Sequence, residues 1–158
     1  MEFVSPEPVN EQDETLTLGS FWPSIDTRAF RESMRVDGTV TFQRLIEALK
    51  NAMIETHREL VNFQHQEMTL GYLTLESVPA SKIYTGNIGE SELVYLYRRA
   101  VFSTAKANIT ERYRDIDTTP NGSKKADALD PTIEDLQRDA IWAIQRIKGT
   151  THNIVELI

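Results

Sequence analysis

The chain has 158 residues, 40% of them hydrophobic and 8% aromatic, which suits one domain with a genuine core. It contains no cysteine, so disulfides, thiolate metal sites and cysteine nucleophiles are excluded, in keeping with a reducing compartment. A net charge of −7 and a pI of about 5.0 repel free DNA and anionic membranes on average, and no apolar run approaches the ~20 residues of a membrane span.

Residues 1–20 hold five acids and no Lys or Arg, and they include Pro6 and Pro8 without a regular apolar period. They predict an extended acidic arm, and they lack the basic and apolar regions of a signal peptide. "FWPSIDTRAFRESMRV" follows. Phe21 and Trp22 precede Pro23, and Ser24 or Asp26 caps a short helix ending near Met34. Asp37-Gly38 marks a turn.

Thr39 or Thr41 caps the next helix, which the pattern carries to about Thr69, with Gly71 beyond it as a stop. At 100° per residue from Leu49, the side chains of Phe42, Leu45, Ile46, Leu49, Met53, Leu60 and Phe63 fall between about −40° and +60°. That stripe builds a core. Ile54, Val61 and Met68 form a second, heptad-spaced line beside it, open to another helix or another subunit.

"YLTLESVPASKIYTGNIG" reads as a connector punctuated by Pro79, Gly86 and Gly89. Gly89 or Ser91 opens a third helix that runs to about Asp115. Its first half, "LVYLYRRAVF", is apolar almost all round, the pattern of a helix surrounded by others. A charged loop follows, "RYRDIDTTPNGSKKADALDPTI", with a possible helical turn over residues 126–129. Asp130-Pro131 reads as the cap and first residue of the last helix, which runs to Lys148 with Gly149 as its stop.

On that helix Ile133, Leu136, Ala140, Ala143, Ile144 and Ile147 share one face. Trp142 lies about 200° from it, with Arg138 and Arg146 one turn to either side. A tryptophan on a charged face needs cover. It comes either from an interface with another protein or from the 115–130 loop or N-terminal arm of the same subunit. Four of the last five residues, Ile154, Val155, Leu157 and Ile158, are apolar and predict a tail that docks on protein. The pattern as a whole predicts an all-α fold: a bundle of three long helices plus short ones over residues 21–149, an arm at 1–20 and an apolar tail at 150–158.

Catalytic chemistry is thin. His57 and His65 stand eight residues apart and His152 is in the tail; the HExxH arrangement is absent, so packing or surface roles are simplest for all three. Asp115, Asp117, Asp127 and Asp130 have oxygen ligands for Mg²⁺, but capping and loop solvation explain them more simply. "TGNIGES" lacks the Lys and Ser/Thr of a phosphate loop. Arg112, Arg114, Lys124 and Lys125 form the basic cluster. Their interleaved aspartates favour a solvated loop, then contact with an acidic protein surface, and DNA last.

"FWPSIDTRAFRESMRVDGTVTFQRLIEAL", "ERYRDIDTTPNGSKKADALDPTIEDLQRDAIWAIQRI" and the helix between them resemble the head completion, or head stabilisation, protein family of temperate contractile-tailed phages. The resemblance covers about residues 20–155 in order, and "ERYRDID" followed by "SKKADALDPTIEDLQRD" is its most specific part. It implies a structural protein without catalytic residues, metal or cofactor. Such a protein binds the portal protein at the vertex after DNA packaging, stabilises the filled head and prepares it for tail or neck completion proteins. It also implies a homo-oligomeric ring of about twelve copies that follows the portal's symmetry. Location in the virion neck, and in the host cytoplasm during assembly, follows, with no specific nucleic-acid binding and no membrane. The competing reading is a helical nucleic-acid-binding protein of the packaging machinery. The candidate interface residues are Arg112, Arg114, Lys124, Lys125, Trp142, Ile154, Val155, Leu157 and Ile158.

Overall fold

The computed structural model describes residues 12–114 and 132–149. Most of these residues are helical, in α1 (Thr27–Met34), α2 (Phe42–Thr69), α3 (Glu92–Arg114) and α4 (Ile133–Ile147). Two small antiparallel sheets accompany them, β1 (Thr15–Leu16) with β2 (Ile25–Asp26), and β3 (Lys82–Thr85) with β4 (Ile88–Ser91). The all-α expectation is corrected accordingly: the fold is mainly helical with two two-stranded sheets.

The β3–β4 hairpin occupies what the sequence offered as a connector. Gly86-Asn87 is its two-residue turn, and Gly86 takes φ +61, the positive value that the first position of a type II′ turn demands. Gly89 leaves room for a neighbouring ring. Tyr84 lies across it, and a Cβ there would stand 2.9 Å from Tyr84 Cε1. Each strand is only four residues long, too short for a periodic signal.

Local chemistry sets the helix starts. Asp26 caps α1 by accepting from the backbone N–H groups of Arg28 and Ala29. Thr41 caps α2 through the Arg44 N–H, and Ser91 Oγ accepts from the Leu93 N–H at the start of α3. The cap of α4 is Thr132, not Asp130. Thr132 and Asp135 exchange bonds between side chain and backbone in a capping box, so the first helical residue is Ile133.

The predicted stripe on α2 forms one wall of the core. Leu45, Ile46, Leu49, Met53 and Leu60 are buried, while Phe42 and Phe63 are half-buried. Helix α3 is central: α2 and α4 pack along it, and α1 covers a further side through Phe30 against Phe102, 5.3 Å between ring centres. Leu136, Ala140, Ala143 and Ile147 of α4 are buried, with Ile144 partly so. Ion pairs Arg99–Asp139 and Lys148–Glu59 fix where α4 lies, so it runs back toward the end at which α2 stops and α3 starts.

One aromatic cluster ties the pieces together. Trp22 is 4% exposed and stacks on Tyr97 of α3, with ring centres 4.9 Å apart and planes 11° from parallel. Its indole Nε1–H donates to Nδ1 of His57 on α2 at 2.9 Å. Phe21 meets Trp22 edge-on, and the Phe21 carbonyl accepts from the Leu75 N–H at 2.8 Å, in the turn (Leu75–Ser77) after α2. Upstream, Glu14 and Thr27 exchange two bonds, Glu14 N–H to Thr27 Oγ1 and Thr27 N–H to the Glu14 carbonyl, which holds residues 14–16 on the body.

Replacing Trp22 with alanine removes the stack and strands the His57 acceptor. Urea unfolding is expected to show a loss of about 3–5 kcal/mol; a loss under about 1 kcal/mol would contradict the clamp. Tyr97 supplies a second test. Its hydroxyl is fully buried without a hydrogen-bond partner among the described residues, and burial pushes its pKa well above the ordinary value. Tyr97→Phe is therefore expected to leave stability unchanged or raise it by about 1 kcal/mol. Marked destabilisation would show that the hydroxyl is hydrogen-bonded.

Candidate functional site

Among the described residues no group of three or more His, Cys, Asp or Glu side chains converges to hold a metal ion. No helix among them is long and apolar enough to cross a membrane. His57 is taken up by Trp22, and His65 is exposed on α2. The features that remain are surfaces: a groove flanked by arginines, an outward tryptophan and an apolar hairpin.

The groove, of about 290 Å³, lies between the first half of α2 and the last turns of α3. Arg44, Glu47 and Asn51 line it from α2, and Asn108, Ile109 and Arg112 from α3. The antiparallel run of the two helices brings these residues together. Two guanidiniums with amides and a carboxylate form a set suited to pairing with charged and amide groups of another chain. Arg112 was expected in the candidate set from the sequence; Arg44 was not, because its proximity depends on the α2–α3 packing. Arg114 is the last residue of α3. Lys124 and Lys125 lie outside the described residues, as do Ile154, Val155, Leu157 and Ile158.

Trp142 sits on the outer face of α4, 44% exposed. The Arg138 guanidinium lies over its ring, 5.2 Å from the centre, and pairs with Asp135 at 2.9 Å. Hydrogen bonding from the Thr132 side chain, then from the Thr132 backbone, holds the Asp135 carboxyl below the ordinary aspartate range, and the Arg138 charge adds to this. Ile141 is exposed beside the tryptophan. The outer face of α4 thus presents an indole and an isoleucine next to an ordered arginine.

The third surface was missed in the sequence. Ile83, Tyr84 and Ile88 of the hairpin are exposed, Ile88 at 76%, and Leu70 and Leu73 are exposed just after α2. The signal was the Gly86-Asn87 pair between Ile83-Tyr84-Thr85 and Ile88, which reads as a hairpin once the flanking residues are taken as strands. The second apolar line of α2 also stays at the surface: Ile54 and Met68 are exposed and Val61 is half-buried.

Residues 16–158 match the family described as "Phage head completion protein (GPL)". The chain is 41% identical over 155 residues to the "Head completion/stabilization protein" of Escherichia phage P2, an alignment covering 98% of this chain and 89% of that protein. No solved structure matches. With the match running from β1 through every described helix, the chain belongs to the phage head completion protein (GPL) family.

Proposed function

We propose that this chain is a structural head completion protein that binds the portal vertex after DNA packaging and stabilises the filled head. It does so as a homo-oligomeric ring of about twelve copies, set between the portal and the tail or neck completion proteins. The observation that carries this reading is the 41% identity, over 98% of the chain, to a protein named for head completion and stabilisation. Its location follows: the neck of the virion, and the host cytoplasm during assembly. Residues 21–149 form the ring body, residues 1–20 an arm tied to it through β1, and residues 150–158 a tail.

The physical features support a part that holds other proteins. A ring around a DNA channel must let DNA pass, and a net charge of −7 limits attachment to its phosphates. A cyclic assembly needs two different lateral surfaces on each subunit. The groove with Arg44 and Arg112 and the outer face of α4 with Trp142 are two such surfaces, and they are chemically distinct. Arg114, Lys124 and Lys125 add basic charge to the same stretch of sequence as Arg112. Ile154, Val155, Leu157 and Ile158 give the tail its apolar character.

Electron microscopy of the purified chain mixed with its portal tests the placement. A ring of density stacked on the portal, with the portal's rotational symmetry, is expected; a portal without added density under saturating protein contradicts it. Trp142→Ala tests the interface. The thermal midpoint of the monomer is expected to move little, because the indole is half-exposed, while ring or portal binding weakens by about 2 kcal/mol or more. A large drop in monomer stability with unchanged assembly would assign Trp142 to the fold of its own subunit.

A further inference from the structure

The β3–β4 hairpin has a problem of its own. It is a two-stranded sheet with no third strand among the described residues, so each outer edge leaves backbone donors and acceptors unpaired within the sheet. In the hairpin register Ile83 pairs with Glu90 and Thr85 with Ile88, so Ile83 and Ile88 share one face. Lys82 and Tyr84 lie on the other, with the Tyr84 ring over Gly89. All of β3 and Ile88 at the start of β4 are exposed, while Ser91 at the end of β4 is buried, and both faces carry large apolar side chains in the exposed part. Glu90 is paired with Arg98 of α3, whereas Lys82 has no ion-pair partner among the described residues. The hairpin therefore offers apolar surface, open edges and one unneutralised cation.

Residues 150–158, "TTHNIVELI", have the complementary character. Ile154, Val155, Leu157 and Ile158 are apolar, all four flank the single carboxylate side chain of the segment, Glu156, at one or two positions' distance, and Ile and Val favour extended backbone. The segment also starts in the right place. Lys148, the cap residue of α4, reaches Glu59 of α2, and the remaining ten residues of α2 rise about 15 Å further to the hairpin end of the bundle. Nine extended residues span up to about 30 Å. Tethering to Gly149 makes the encounter intramolecular, which favours the segment's own hairpin over a neighbour's at dilute protein concentration.

We propose that the hairpin is the docking site for residues 150–158 of the same chain. The segment lies along it in extended form, with its apolar side chains against Ile83, Tyr84 and Ile88 and Glu156 directed to Lys82. The contact covers the hairpin in the free subunit, and it withholds an open sheet edge from premature pairing with other copies.

Zero-length coupling of amines to carboxylates tests this on the native chain, which needs no substitution. An equal mixture of ¹⁴N- and ¹⁵N-labelled protein is cross-linked at dilute concentration, and the linked peptides are weighed. A Lys82–Glu156 link found only between peptides of the same isotope is expected. Absence of the link, or a mixed-isotope product, overturns the proposal; the mixed product would assign the hairpin to a neighbouring copy. Hydrogen exchange gives a second readout. Slow exchange of the amides of residues 154–158 is expected in the native chain, lost in Lys82→Glu and regained in Lys82→Glu/Glu156→Lys. Fast exchange in all three proteins, or failure of the double exchange of charge to restore protection, counts against the contact.

Discussion

The stack of Trp22 on Tyr97, with its indole bond to His57, is the interaction on which the remaining packing depends. Helix α3 is apolar on more sides than two antiparallel helices can cover. The segment from Phe21 to Met34 supplies the missing cover, and Trp22 anchors its start to both α2 and α3. The anchor is strong because both halves of the indole are used: the ring face meets the phenol ring, and the N–H finds an acceptor in the half-buried imidazole. Through the Phe21 carbonyl and Leu75 N–H, the same point also fixes the turn after α2, and hence the direction from which the hairpin and α3 begin.

That arrangement gives a rigid body whose surfaces differ in chemistry from one place to the next. The junction of early α2 with late α3 is a groove that carries guanidiniums. The opposite end carries the hairpin, with Ile83, Tyr84 and Ile88 outside the core. The outer face of α4 holds Trp142 under an arginine that a capping-box aspartate keeps in place. In the proposed ring such differences matter, because a closed cyclic assembly joins unlike faces and stacks between unlike neighbours. The His57 imidazole serves the core, as the acceptor of the Trp22 indole N–H.

Sequence pattern revealed the helical body because its signals are long. The α2 stripe from Leu45 to Leu60 repeats over several turns, and α3 announces its central position by lacking a polar side in its first half. Caps were legible as short lists: Asp26, Thr41 and Ser91 each belonged to a pair of candidates that local chemistry alone could not separate. At α4 the local signal pointed to Asp130-Pro131, but the reciprocal bonds of Thr132 and Asp135 set the start. The hairpin escaped because such short strands, with β3 exposed throughout, show no clear alternation between polar and apolar, and its glycines resembled loop punctuation. The pairing of Thr15 with Asp26 and of Leu16 with Ile25 escaped for a related reason, since a two-residue strand is chosen by its tertiary surroundings. Trp22 and His57 are 35 positions apart, and no local rule joins them. The candidate site was legible at Trp142, where helical geometry alone gives an outward direction. It was legible only by half at the groove, where Arg112 stood out by charge and Arg44 required the packed structure.

In the proposed function this chain stabilises the DNA-filled head. The most direct measurement is DNA retention by filled heads assembled without the chain, compared before and after purified protein is added. Unsupplemented heads are expected to release DNA and added protein to stop the loss, with the effect saturating at a fixed number of copies per head. Equal DNA loss with and without the protein, while the protein binds the heads, would contradict it.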